Sequence, residues 1–345
     1  MRRRGPCRIE EVARLAGVAP ITVSRALNKP ETVSERTRAA VWDAVERTGY
    51  VPNRVAGDLA SNSTRMIGVV LPSISNPIFA GRVQGLTDTL TEAGYQLLLA
   101  VSDGNVEREE RHVLALLGHR VAGLNLSGTT HSNRTRSLLA RAEVPIVETA
   151  SVNATAIDML VGYSEDGAAY AMVAHLAERG YRTVAFLSAP LLDSDRLQAR
   201  LAGYERGVRE FGLERTAGLI AESEGTGPAS GAIAFADLLG RHPDLDAVFC
   251  TSDMLAYGCL LEAQRRGISV PDELGVAGFE DLELSREWVP SLTTVRVRSY
   301  ELGACAARML LNRIQGRAEE PRIADLGFEL ARRRSTARGR RNPTV

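Results

Sequence analysis

The sequence is short of the features that mark a membrane protein, a redox protein or an enzyme. Apolar residues make up 44% of it, yet no run approaches the roughly 18 to 20 consecutive apolar residues that a bilayer span requires. A basic stretch, Met1 to Arg8, is followed by no apolar segment, so no secretory leader is expected and a cytoplasmic location is. Cys7, Cys250, Cys259 and Cys305 are scattered without a C-x-x-C pair; reduced thiols are expected, with no metal site and no cofactor. No G-x-G-x-x-G follows a strand and no G-x-x-x-x-G-K-[ST] occurs, which leaves a dinucleotide or P-loop site unsupported. His112, His119, His131, His175 and His242 show neither a triad nor H-E-x-x-H spacing, so catalysis has no visible carrier and the chain is expected not to be an enzyme.

What is present is an uneven charge distribution and 345 residues, enough for two or three domains. Net charge is zero, but residues 1–65 hold twelve Arg or Lys against seven Asp or Glu. Residues 331–345 hold six Arg and no acid, which leaves the middle acidic. A basic head on an acidic body suggests that the head alone meets a polyanion.

The first fifty residues read as three short helices. Ile9, Val12, Ala13 and Ala16 share one helical face, and Gly17 is a natural left-handed stop. Pro20 suits the first position of a second helix, with Val23, Ala26 and Leu27 inward. Ser34 suits the N-cap of a third, with Val41, Ala44 and Val45 inward and Gly49 closing it. A tight Gly-bearing turn between the first two helices makes a helix-turn-helix, whose second helix enters the DNA major groove. A generic three-helix bundle has the same periodicity.

From Met66 the pattern changes to short apolar runs separated by amphipathic stretches. "MIGVVL", "YQLLLAV", "VAGLNL" and "VPIVE" form one set of strands; "TVAFLS", "AGLIAE", "DAVFCT" and "LGVAGF" form a second. Helical stretches include 77–93, 105–118, 164–179, 194–211 and 252–266. Alternating strands and helices imply parallel sheets with right-handed crossovers, and two sets imply two lobes. In such sheets ligands bind beyond the carboxyl ends of the strands.

The blocks "EVARLAGV", "TVSRALN", "VSERTR" and "GYVPNRVA" resemble, in order and spacing, the DNA-binding head of the lactose-repressor (LacI/GalR) family. The resemblance continues to about residue 336 through "LPSISNPIFA", "DSDRLQARLAGY", "VFCTSDMLAYG" and "VAGFEDLELSREWVPSLTTV", and is nearest to the gluconate-utilisation repressor branch. It implies a helix-turn-helix head over 1–50, a hinge over 51–65 and a two-lobed α/β body of two doubly wound parallel sheets over 66–330, similar to periplasmic binding proteins. Lobe 1 is expected over about 66–161 and 293–320, lobe 2 over about 162–292 and 321–330, and a basic disordered tail over 331–345.

By the same resemblance Pro20 and Ile21 take the base-reading places, and Arg25 takes that of an Arg able to pair with guanine. Thr22, Ser24, Asn28, Ser34 and Asn53 take places that contact the DNA backbone, and Leu59 that of a minor-groove wedge. Pro20 replaces the usual polar residue and cannot donate, so readout is expected from Ile21 and Arg25. In the body, Ser73, Asn76, Phe79, Glu148, Arg200, Ser252 and Glu280 take effector places; Ser252 stands for the more usual Asn and Glu280 for the more usual Asp. Arg200 offers a planar fork for a carboxylate, although Arg occurs there for neutral ligands too. The implied protein is a homodimeric, nucleoid-associated transcription repressor that binds a near-palindromic operator under control of a sugar or sugar acid. A transport receptor or a sugar-metabolising enzyme is the alternative; the first lacks a leader, the second a nucleotide motif.

Overall fold

The computed structural model describes residues 7–51, 64–192, 194–214, 218–317 and 321–338. The chain divides into two units, Met1–Thr64 and Arg65–Val345. The first holds α1 (Ile9–Ala16), α2 (Pro20–Asn28), a 3-10 turn (Pro30–Thr32) and α3 (Glu35–Thr48). Gly17 ends α1 at φ 69° and Gly49 ends α3 at φ 63°, the left-handed conformation in which a missing Cβ removes the steric penalty. Ser34 caps α3 by accepting from the Thr37 N–H at 3.2 Å. The expected inward faces meet in a small core of Val12, Ala13, Val23, Ala26, Val41 and Ala44.

The second unit carries two six-stranded sheets of matching order. The first is built from β1 (Met66–Leu71), β2 (Gln96–Val101), β3 (Gly123–Ser127), β4 (Ile146–Ser151), β5 (Met159–Tyr163) and β11 (Ile323–Asp325), in the order β11-β5-β4-β3-β1-β2. The second is built from β6 (Val184–Ser188), β7 (Ile220–Glu222), β8 (Ala247–Cys250), β9 (Gly275–Glu280), β10 (Thr293–Arg296) and β12 (Glu329–Ala331), in the order β12-β10-β9-β8-β6-β7. All pairings are parallel except β10 with β12. Strands β6 and β9 are buried from end to end, and β1 is buried from Ile67 onward, as apolar runs covered on both faces should be.

Helices α4 (Ile78–Glu92), α5 (Val106–Gly118), α6 (Asn133–Arg141) and α12 (Ser299–Ile314) accompany the first sheet. Helices α7 (Glu165–Glu178), α8 (Asp195–Glu210), α9 (Pro228–Arg241), α10 (Asp253–Arg266) and α11 (Leu284–Glu287) accompany the second. Two glycines set the positions of helices that matter below. A Cβ on Gly303 would stand 2.0 Å from the Arg82 carbonyl oxygen, and one on Gly203 would stand 2.0 Å from the Asp166 carbonyl oxygen. Helix α12 therefore lies backbone to backbone on α4, and α8 does so on α7.

Three expectations are corrected. The strand at 293–296 lies in the second sheet and that at 323–325 in the first, the reverse of the lobes expected for those two strands, whereas the helix 299–314 packs on the first sheet and 329–331 pairs in the second. The chain crosses between lobes after β5, after β10 and after β11, and α12 returns to the first lobe on its own. Residues 331–338 are not a tail. Leu330 and Ala331 pair with β10, Ser335 Oγ donates to the Val276 carbonyl at 2.5 Å, and the Arg333 guanidinium donates to Asp281 at 2.6 Å. The hinge places Asn53 and Leu59 lie outside the described residues.

Candidate functional site

Helix α2 presents its DNA-facing candidates as a surface. Val23 and Ala26 are buried beneath, while Pro20, Ile21, Arg25 and Asn28 are exposed and Thr22 and Ser24 half-buried. Ile21 is 59% exposed, an apolar side chain held in water on the helix that also carries Arg25. Ile21, Arg25 and Asn28 fall at i, i+4 and i+7, on one face. Asn28 turns its amide back to the Ser24 carbonyl at 3.0 Å. The Ser34 hydroxyl is engaged in the α3 cap and with the Thr37 hydroxyl at 2.8 Å.

In the body a cavity of about 280 Å³ opens between the carboxyl ends of the two sheets. Small-molecule sites run from roughly 300 Å³ upward, so this one suits a ligand of monosaccharide scale. Ser73, Asn76, Phe79, Arg200, Ser252 and Glu280 line it. Asn76 accepts from the Ile78 N–H at 3.0 Å, which anchors the loop before α4. Its amide then crosses the cleft and donates to Glu280 Oε1 at 2.8 Å. A second crossing lies alongside. The Thr129 N–H and hydroxyl donate to Asp195 Oδ2 at 2.8 and 2.6 Å, and the Asp195 N–H donates to the Thr130 hydroxyl at 3.2 Å.

Glu280 ends β9 at φ 118°, and Asp281 follows at φ 57°. Non-glycine residues adopt such backbone only where the surroundings enforce it. Here the neighbour does so: Asp281 accepts from Arg296 at 2.6 Å and from Arg333 at 2.6 Å. Burial first, and then the Asp253 carboxylate, push Glu280 up to about 8, against the opposing pull of Arg200, Asn76 and Arg196. At neutral pH Glu280 is therefore largely protonated, and its buried Oε2 has no hydrogen-bond partner. Such a group offers a ligand hydroxyl both a donor and an acceptor.

Arg200 reaches the cavity with each of its three nitrogens already in a hydrogen bond, three of its five N–H donors. Its Nε donates to Glu165 Oε2 at 2.7 Å, Nη1 to the Thr251 carbonyl at 2.5 Å and Nη2 to the Tyr163 hydroxyl at 3.3 Å. It lies over the Phe279 ring, 3.6 Å from the centroid. Burial opposes its charge, yet Glu165 and the Tyr163 oxygen override this and hold its pKa above the usual arginine range.

Glu148 departs from expectation: it does not line the cavity. It is fully buried, accepting from the Ile157 N–H at 2.5 Å and from His131 Nε2 at 3.1 Å. His131 Nδ1 bonds Glu109 at 2.6 Å. Burial works against the imidazolium, but the bonds from Glu109 and Glu148 prevail and hold His131 at about 9. Glu148 is thus a counter-ion to His131, and Glu109 is the member of the trio that reaches the cavity.

Sequence reading missed Arg196, Asp195 and the Ser102–Val106 loop, all of which line the cavity. Asp195 and Arg196 sit one turn before Arg200 on α8, so helical spacing held the signal.

Two family models match the chain. Residues 8–53 match the bacterial regulatory proteins of the lacI family, and residues 173–336 match a periplasmic binding protein-like domain. The chain is 35% identical to the HTH-type transcriptional regulator GntR of Escherichia coli K12, over 96% of this chain and 98% of that one. A solved LacI-family transcriptional regulator from Silicibacter pomeroyi superposes with a TM-score of 0.88 at 31% identity, covering 96% of this chain and 100% of that one. A lac repressor dimer bound to operator and the anti-inducer ONPF superposes with a TM-score of 0.84 at 26% identity, covering 96% and 99%.

Proposed function

The chain belongs to the lacI family of bacterial regulatory proteins, and we propose that it is a homodimeric repressor whose grip on operator DNA is set by a small sugar or sugar acid in the interlobe cleft. One observation carries this: the Asn76 to Glu280 hydrogen bond joins opposite lobes at 2.8 Å inside a ligand-sized cavity. An occupant that bonds to Glu280 or Asn76 competes with or reinforces that bridge, and so changes the relative stability of open and closed lobes. A ligand shifts a two-state equilibrium only through such differential contact.

In this reading α2 reads the major groove, Arg25 pairing with guanine and Ile21 meeting a thymine methyl. Thr22, Ser24 and Asn28 position the helix on phosphates, and residues 51–65 carry the lobe movement to the head. Two heads on a two-fold axis require a near-palindromic operator. The protein works in the cytoplasm and carries out no catalysis; the cleft binds and releases its ligand unchanged.

Selection of operators from a random duplex library by the full-length chain tests the reading. The expected outcome is two inverted half-sites, with anisotropy titration showing that a sugar or sugar acid shifts the affinity for the selected site. Binding that falls steeply with salt and prefers no sequence would reduce the head to generic polyanion attraction.

A further inference from the structure

A run of ion pairs lies where the chain passes between the lobes. Strand β10 ends at Arg296 in the second sheet, and α12 begins at Ser299 against the first. Strand β11 ends at Asp325 in the first sheet, and β12 begins at Glu329 in the second. Rotation of one lobe against the other is absorbed in such short joints, here 297–298 and 326–328. Glu329 ties the two joints together. Its Oε2 accepts from Arg296, its cross-strand partner, at 3.1 Å, and its Oε1 accepts from Arg298, the N-cap residue of α12, at 2.6 Å.

From these pairs, contacts lead to both walls of the cleft. Arg296 Nε donates to Asp281 Oδ2 at 2.6 Å, and Asp281 directly follows Glu280. On the other side Ser299, next to Arg298, donates its hydroxyl to the Ile78 carbonyl at 2.5 Å. The Ile78 N–H in turn donates to Asn76 Oδ1 at 3.0 Å. Asn76 and Glu280 complete the ring by their own bond across the cavity. The third passage between the lobes is Ser164, between Tyr163 and Glu165, and the cavity residue Arg200 bonds both of these. All three passages are thus joined by short contacts to residues that line the cavity.

We propose that the Arg298–Glu329–Arg296–Asp281 chain of ion pairs positions the lobes, forming and breaking as one unit with the Asn76–Glu280 bridge, so that the joints respond to closure of the cleft. This rests on lobe movement being the mechanism of the proposed switch. Arg296, Arg298 and Glu329 do not line the cavity, so they act through Asp281 and Ser299 and not by touching an occupant. Glu329 and Arg298 are exposed. Exposed ion pairs are individually weak because water and salt screen them, so the chain biases closure modestly.

Hydrogen exchange of the full-length, ligand-free chain, followed by mass spectrometry, tests this. Two amides report closure directly. The Thr129 N–H donates across the cleft to Asp195, and the Asp195 N–H donates back to the Thr130 hydroxyl. Neither bond involves the ion pairs. E329Q is expected to speed exchange of both amides about threefold to tenfold, the scale of two exposed ion pairs, and to leave β3 unchanged. R298Q is expected to give a smaller effect, and R298Q/E329Q little more than E329Q, because the two residues share one contact. These differences are expected to shrink in about 1 M salt, where the Debye length is roughly 3 Å. Thermal melting of each variant shows whether the fold is retained. Exchange that quickens in E329Q and R298Q only at 293–298 and 326–331, with wild-type rates at Thr129 and Asp195, overturns the proposal. Anisotropy with the selected operator separates it from the switch itself. Ligand-free E329Q is expected to shift operator affinity in the same direction as N76A. A shift in N76A with none in E329Q overturns the proposal and leaves the cleft switch standing. Quickened exchange at Thr129 and Asp195 in E329Q, with operator affinity unchanged in both variants, upholds the ion-pair chain and overturns the switch.

Discussion

Asn76 and Glu280 are 204 residues apart in sequence and share a 2.8 Å hydrogen bond across the cleft. One belongs to the loop before α4 in the first lobe and the other to the end of β9 in the second. The bond joins the two lobes at the place where a ligand must sit, so a small molecule can act on their closure directly.

Replacing Asn76 with Ala removes the bridge and leaves a second Glu280 oxygen without a donor. A net loss of about 1–3 kcal/mol is expected for an unsatisfied buried group. Effector affinity is expected to drop by roughly 10- to 100-fold, and the melting temperature to fall. Unchanged effector affinity in N76A, by calorimetry, counts against a ligand role for this pair.

Glu280 makes stability depend on pH. Its pKa rises from an ordinary 4.5 to about 8 on folding. The folded chain therefore holds a proton that the unfolded chain has released between those values, and stability falls as pH climbs through that window. E280Q removes the titration. Its melting temperature relative to wild type is expected to improve steadily from pH 5 to pH 8; a constant difference across that range refutes the protonated Glu280.

His131 produces a second, separable pH dependence. Its pKa rises from 6.5 to about 9 on folding, so its stabilising effect is fully present below pH 6.5 and fades as pH rises through 9. H131Q is expected to be most destabilising below pH 6.5, with the titrating part worth on the order of 3 kcal/mol. Melting curves of wild type and H131Q at pH 6 and pH 9.5 check this, since the gap between them must narrow.

Arg25 and Ser34 separate reading DNA from holding the head together. R25A is expected to cost about 1–3 kcal/mol at one operator base pair and to relax discrimination there. S34A removes the α3 cap and is expected to cost about 1 kcal/mol of head stability. Competition anisotropy with single-base operator variants reads the first; thermal melting reads the second. Uniform weakening across all base variants in R25A would make Arg25 a phosphate contact.

Much of the architecture was legible in the sequence because its signals are local. Gly17, Pro20, Ser34 and Gly49 mark the head's helix ends, and runs such as "MIGVVL" and "VAFLS" mark buried strands. The lobe exchange of β10 and β11 was not legible. Strands of three or four residues show too little periodicity, and their sheet is chosen by long-range pairing. The cleft followed the same division. Ser73, Asn76, Phe79, Ser252 and Glu280, picked out by their places in the motifs, line one cavity. The state of Arg200 depends on Glu165, 35 residues earlier, and that of Glu148 on His131, 17 residues earlier. Neither partnership leaves a pattern in the chain. The segment 331–345 reads as a tail because its six arginines suggest solvation, yet Arg333 and Arg338 meet Asp281 and Asp246.

The central claim is that cleft occupancy controls operator affinity. Fluorescence anisotropy of a labelled selected operator with the full-length chain, titrated with the ligand that calorimetry identifies, measures it directly. The predicted result is a change of at least about fivefold in operator affinity, the lower end of ordinary coupling between sites, and its loss in E280A. An operator affinity that stays constant while calorimetry shows the cleft saturated would contradict the account.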